Sequence, residues 1–159
     1  MEESDPYTKA RAFAIRSLSK VAQSTHQLRK KLVQRGFEEE IIERLLKEMI
    51  EKGWLDDEAY LRGAVTSRIL RYGPRRIEQE LLHRGFNRDE VGEALDRVDD
   101  SEVKERLESY IARASGQGKL NDRKDRERLI RSLVRKGYAF DEILNALEGV
   151  KGIENNRWE

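Results

Sequence analysis

One spacing of apolar positions occurs three times along the chain. It runs apolar, three places, Leu, three places, Gly, aromatic, four places, β-branched, three places, Leu. The first copy is Leu28, Leu32, Gly36, Phe37, Ile42 and Leu46, the second Ile77, Leu81, Gly85, Phe86, Val91 and Leu95, and the third Leu129, Leu133, Gly137, Tyr138, Ile143 and Leu147. The glycines lie 49 and then 52 residues apart. Apolar residues four apart stand on one face of a helix, and a glycine supplies the left-handed conformation that ends one. Each copy therefore predicts two helices joined by a tight turn, with the aromatic closing over the turn and the second helix facing back onto the first.

A further amphipathic segment precedes each hairpin. In the first unit it runs from about Tyr7 to Ala22, with Ala10, Ala14, Leu18 and Val21 on one stripe, and Ser24 with Gln27 forms a capping box for the next helix. In the second unit Asp56 and Asp57 are placed to cap a helix through Tyr60, Val65 and Ile69, and Pro74 suits the first turn of the helix after it. In the third, a helix from about Ser101 to Ala114 gives way to Ser115-Gly116-Gln117-Gly118, where the extra residues of the longer period are expected. The expected fold is all-α, three tandem three-helix repeats in an elongated, curved, solenoid-like chain. The units are expected at 7–53, 54–100 and 101–149, followed by a flexible tail at 150–159.

Composition supports thin modules over one thick core, because only 37% of residues are hydrophobic and 40% are charged. No cysteine is present, so disulfide and thiolate chemistry are excluded. The acidic start of the chain resembles no secretory signal, and no stretch approaches the ~20 apolar residues that span a bilayer. A cytoplasmic protein with no membrane contact is expected. The two histidines, His26 and His83, have no companion at ligand spacing, so no metal or other cofactor is expected. Asp56 and Asp57 read as helix caps before a catalytic carboxylate pair, no phosphate-binding glycine loop occurs, and Trp54 and Tyr60 read as contacts between units. Nothing points to an enzyme.

The net charge of +1 conceals a strong segregation. Pro6 to Phe37 carries eight basic residues and no acidic one, whereas Glu38 to Leu61 carries nine acidic against three basic. Arg62 to Ile77 holds five arginines and no acid, Glu78 to Tyr110 nets −6, and Ile111 to Gly137 nets +6. Positive charge thus gathers on the helices leading to each glycine and negative charge after it. Units stacked side by side could carry a basic stripe and an acidic one, unless the charges are spent on exposed ion pairs worth little individually.

Gly53-Trp54-Leu55-Asp56-Asp57, then Tyr60, Arg68, Gly73-Pro74-Arg75-Arg76-Ile77, Leu81 and Arg84-Gly85-Phe86 resemble the central signature of the RecX family. The blocks Leu28 to Phe37 and Arg131 to Tyr138 resemble its flanking repeats, and the likeness extends from about Thr8 to Gly149. Gly63 inside a helix and the weak echo Leu120-Asn121-Asp122 of the Asp pair depart from the pattern. The resemblance implies a monomeric, non-enzymatic regulator. It would lie in the groove of a RecA filament on DNA and suppress ATP hydrolysis, strand exchange and coprotease activity, within recombination, repair and the SOS response. Candidate contacts to RecA, or to single- or double-stranded DNA through the basic stripe, are Arg29, Lys30, Lys31, Arg35, Arg68, Arg71, Arg75, Arg76, Arg84, Arg131, Arg135 and Lys136. The repeat itself is carried by Gly36, Phe37, Gly85, Phe86, Gly137 and Tyr138.

Two rival readings remain at this point. A helix-turn-helix DNA-binding protein would insert the helix after the glycine into the major groove, yet that helix opens on Glu38-Glu39-Glu40, Asp89-Glu90 or Asp141-Glu142, which would face phosphates. A plain protein-binding helical scaffold would show neither heparin retention nor salt-dependent DNA binding.

Overall fold

Nine α-helices and no strand occur among the described residues, 5–151, of the computed structural model. They form three consecutive units: α1 (Pro6–Lys20), α2 (Thr25–Gln34) and α3 (Glu39–Glu51); α4 (Asp57–Arg68), α5 (Pro74–His83) and α6 (Arg88–Asp96); α7 (Asp100–Gly116), α8 (Arg123–Lys136) and α9 (Phe140–Lys151). Each has a core of its own. Unit 1 gathers Ala10, Ala14, Leu28, Leu32, Ile42 and Met49; unit 2 gathers Val65, Ile77, Leu81, Phe86 and Val91; unit 3 gathers Ile111, Leu133, Tyr138, Ile143 and Leu147. The helix pairs that pack extensively all lie within a unit.

The repeated glycine does what its spacing predicts. Gly36, Gly85 and Gly137 have φ of 86°, 97° and 104°. In each turn the glycine N–H donates to the residue three back, and the aromatic N–H reaches the leucine five back: Phe37 to Leu32 (3.3 Å), Phe86 to Leu81 (3.2 Å) and Tyr138 to Leu133 (3.2 Å). This paired closure satisfies carbonyls that the helix end would leave open, and it brings the aromatic down onto the core. Ser24 and Gln27 form the expected capping box, Asp56 accepts from the Ala59 N–H (3.0 Å), and Pro74 opens α5.

Several expectations change. Val21 leaves the α1 stripe, because the helix ends at Lys20 and Val21 is extended and 56% exposed. Buried Gln23 takes its place, its Nε2 donating to the Ser17 carbonyl (3.0 Å) and Oγ (2.8 Å). Asp57 does not cap its own helix. It accepts from the Thr25 N–H (2.7 Å) and Oγ1 (3.0 Å), so it caps α2 across the unit boundary. The longer third period is taken up in helix, since α7 has 17 residues where α4 has 12, and Gly116 is still helical. Trp54, the expected start of the second unit, meets the first unit. It is 47% exposed and lies beneath Arg11 and Lys52 of unit 1, with the cations 5.5 and 4.9 Å from the ring centre. Tyr60 stacks on Phe86 of its own unit at 5.7 Å and also lines the crevice shared with unit 1. The tail expected from residue 150 lies, beyond Lys151, outside the described residues.

The units are joined at two of these left-handed glycines, Gly85 and Gly137. At the joint of units 2 and 3 the start of α5 meets the end of α8: Gly73 N–H donates to the Lys136 carbonyl (2.8 Å) and Arg75 N–H to the Gly137 carbonyl (3.0 Å). Free amides of one helix start thus meet free carbonyls of another helix end, with complementary dipoles. At the joint of units 1 and 2, the His26 ring at the start of α2 lies against Gly85 at the end of α5. Gly36, the counterpart in unit 1, faces open space.

Tyr138 carries a cost that its counterparts Phe37 and Phe86 do not. Its ring is 1% exposed and its buried hydroxyl has no hydrogen-bond partner among the described residues. Burial, with the neighbouring Tyr110, pushes the phenol up to about 12. Below the unfolded value of 10.0 the phenol is neutral in both states. Above it the unfolded chain ionises first, so stability falls as pH rises toward 12. Tyr138→Phe should raise stability by about 1 kcal/mol and remove this alkaline loss, as read by urea unfolding at pH 8 and pH 11.

Candidate functional site

Cations collect in hollows between the first two helices of the outer units. In unit 1, a groove of about 440 Å³ between α1 and α2 is lined by Arg16, Lys20, Lys31 and Arg35 over Phe13 and Val21, without a carboxylate. Arg35 stacks on the Phe13 ring at 4.5 Å, which holds the guanidinium at the rim while its stem covers apolar surface. A crevice between units 1 and 2 shares Lys31 and adds Lys30, Arg84 and Tyr60, again with no acid. There Arg84 Nη1 donates to the Tyr60 hydroxyl (2.6 Å).

Unit 3 repeats the arrangement. A groove of about 440 Å³ between α7 and α8 is lined by Arg113, Lys119, Arg128, Arg135 and Lys136, with Asp125 as its one acid and Tyr110 in its wall. The Lys136 ammonium sits 4.7 Å from the Tyr110 ring centre. In the middle unit the place of Lys31 is taken by Glu80, 49 residues on, and Glu80 holds Arg68 (2.8 Å) and Arg76 (3.5 Å). Two of the middle unit's arginines are thus paired from within. Carboxylates gather elsewhere, in a hollow between α4 and α6 lined by Asp57, Glu58, Glu90 and Glu93 with Arg62 and Arg97.

The candidate cations therefore differ in what they can offer a partner. Arg29 is held by Glu39 (2.6 Å) and by Glu43, and the Glu43 hydrogen bond, first among several causes, raises its affinity for the proton. Arg68 and Arg76 are engaged by Glu80, and Arg76 also stacks on Tyr72 at 4.0 Å. Lys30, Lys31, Arg35, Arg71, Arg75, Arg84, Arg131, Arg135 and Lys136 have no ion pair among the described residues. Arg131 is exposed and apart from the basic grooves. Arg16, Lys20, Arg113, Lys119 and Arg128 belong to the grooves although the sequence reading passed over them. Arg16 and Lys20, four apart on one helical face, carried a signal that could have found them.

Family models for the RecX first three-helix domain and the RecX second three-helix domain match residues 10–49 and 56–95. A regulatory protein RecX from Thermus thermophilus is 34% identical over 139 residues, 87% of this chain and 90% of the relative. The chain belongs to the RecX family. Another regulatory protein RecX, from Clostridium perfringens, is 28% identical over 97% of this chain and 73% of its own length. One from a Mycobacterium species is 30% identical over 87% and 80%. The crystal structure of RecX from Lactobacillus salivarius superposes with a TM-score of 0.81 at 20% identity, over 92% of this chain and 97% of that one, a likeness of fold. The two RecX matches contain the unit 1 groove, the crevice and Glu80 with Arg68 and Arg76; the unit 3 groove lies beyond them.

A second charged cluster in unit 1 is structural. Glu48 of α3 accepts from the Tyr7 hydroxyl, from Arg11 Nε (2.8 Å) and from Lys52 (3.2 Å), tying α1 to α3. The Tyr7 hydrogen bond, then Arg11, holds its carboxyl at about 2, below the ordinary 4.5. A depressed carboxylate adds stability above its unfolded value and loses it as pH falls through the folded one. Glu48→Gln should therefore lower the melting temperature at pH 6, with the deficit shrinking as pH is lowered toward 2. Among the described residues no group of His, Asp and Glu is arranged to hold a metal, and no helix is long and apolar enough to cross a membrane.

Proposed function

We propose that this protein regulates a RecA recombinase by binding its filament on DNA and inhibiting ATP hydrolysis, strand exchange and coprotease activity, as a non-enzymatic cytoplasmic monomer in recombination, repair and the SOS response. The observation that carries the reading is a modular body of a regulatory family in which cations predominate in two grooves and carboxylates in a different hollow. A slender chain of units follows a helical groove more readily than a sphere does, and a nucleoprotein filament offers surface of both signs. Arg71 and Arg75 flank the joint of units 2 and 3, exposed and without ion pairs among the described residues. They are the strongest candidates for contact with RecA.

The helix-turn-helix alternative loses ground on the same surfaces. The helices that would enter a major groove, α3, α6 and α9, carry Glu39 and Glu40, Asp89 and Glu90, and Asp141 and Glu142 in their first turns. Titrating the purified protein into the cognate RecA on single-stranded DNA should suppress its ATPase at or below one regulator per RecA. An unchanged ATPase at excess regulator would reject the function.

A further inference from the structure

We propose that the grooves of units 1 and 3 are two separate phosphate-backbone sites that grip one single strand of nucleic acid at two points, while the middle unit spans between them without gripping it. The filament reading supplies only the choice of nucleic acid as ligand; the two-site division comes from the charge and shape of the grooves.

Three observations carry the division. First, the grooves lie in equivalent places, between the first and second helices of their units, and are of the same size, about 440 Å³. Second, their walls are cationic in a way the sequence average is not. Arg16, Lys20, Lys31 and Arg35 face no acid in unit 1, and five cations face one carboxylate in unit 3. Each has an aromatic side chain beside its cations, Phe13 and Tyr110, the combination that single strands use for backbone contact and stacking. Third, the middle unit breaks the series. Glu80 stands where unit 1 has Lys31, and Arg68 and Arg76 are already committed to it. A strand following the units meets a cationic groove, then a span whose Arg68 and Arg76 are already held by Glu80, then a cationic groove again. Two linked sites of modest affinity act as one tight site only when the ligand reaches both.

The test is fluorescence anisotropy of labelled oligothymidylates without RecA. One should be short enough to fill a single groove, about 6 nucleotides, and another several times longer. The long strand should bind at least tenfold more tightly than the short one. Arg16→Glu with Lys20→Glu, or Arg113→Glu with Arg135→Glu, should each bring the long strand down to roughly the affinity of the short one. Each pair should lower the salt slope by about 1.4, two contacts at ~0.7 per phosphate on a single strand. All four side chains are exposed, so the circular dichroism spectrum should not change. Lys104→Glu, exposed on α7 and outside both grooves, serves as the charge control and should bind as the parent does.

Equal affinity for short and long strands would overturn the two-site division, as would a groove pair that binds like Lys104→Glu. Loss of RecA inhibition in the groove variants, with no DNA binding by the parent, would assign the grooves to an acidic protein surface and overturn the proposal. Inhibition that survives in the variants while strand binding is lost leaves the filament reading intact. Two-site binding by a protein that does not inhibit RecA removes that reading and leaves this one.

Discussion

Gly137→Ala is expected to destabilise the protein by on the order of 3–5 kcal/mol and to release unit 3 from unit 2, whereas Gly36→Ala should cost only about 1–2 kcal/mol. Both glycines are left-handed, with φ of 104° and 86°, so both substitutions incur the conformational cost. They differ in surroundings. A Cβ on Gly36 meets nothing within 4 Å, while one on Gly137 falls 2.5 Å from the Arg76 backbone nitrogen and 2.8 Å from the Gly73 carbonyl oxygen. Backbone cannot move aside as a side-chain tip can, so the overlap must open the joint and break the hydrogen bonds that the Gly73 and Arg75 amides donate to the Lys136 and Gly137 carbonyls. Gly73→Ala isolates the steric part. Its φ of −78° suits alanine, but its Cβ would sit 2.4 Å from the Gly137 carbonyl carbon. Gly85→Ala should fall between the extremes, since its Cβ meets the His26 ring, which is an exposed side chain. Urea unfolding ranks the four. Small-angle scattering reads the joint, and an increase in radius of gyration is expected for Gly73→Ala and Gly137→Ala and not for Gly36→Ala. Equal cost at Gly36 and Gly137 would show that the glycine serves only to end the helix.

These glycines also mark where sequence reasoning stopped. The spacing from Leu28 to Leu46 and its two echoes fixed the second and third helices of each unit, because periodicity and a left-handed turn are local properties. The segments around Ser24, Asp56 and Pro74 were legible for the same reason. That two of the turn glycines also lie at joints was not, because the partner atoms belong to residues 59 and 61 positions away: His26 for Gly85, and Arg76 for Gly137. Asp57 was misread on the same ground, since its acceptor role is toward Thr25, 32 residues back. The site was legible in sign and not in detail. Runs of charge located the cations, but pairing divides them, and the sequence alone could not say that Glu80 would occupy Arg68 and Arg76 while Arg71 and Arg75 stayed unpaired. Nor could it show that the first helix of a unit supplies the other wall of a groove, which is how Arg16 and Lys20 came to be passed over.

Reversing Arg71 and Arg75 together, to Glu, should raise the concentration needed to half-inhibit RecA's ATPase by tenfold or more, about 1.4 kcal/mol or greater, with helical content and melting temperature unchanged. Both side chains are exposed and unpaired among the described residues, so removing them breaks no internal contact, and each new carboxylate would face whatever surface the arginine met. At the joint the Arg75 amide donates to the Gly137 carbonyl and the Arg71 carbonyl accepts from the Tyr110 hydroxyl (3.2 Å), and both backbone groups survive the change of side chain. Arg76 must stay as it is in this test. Its guanidinium is shared between Glu80 and the Tyr72 ring and its Cβ packs against Gly137, so replacing it would perturb the fold and the surface together. Exposed charge at the rim of an interface acts mainly on the rate of encounter. The deficit should therefore grow as salt is lowered, and should appear in the onset of inhibition more than in its reversal. Parental inhibition by the double variant at low salt would remove this face from the contact with RecA and turn attention to the acidic hollow between α4 and α6.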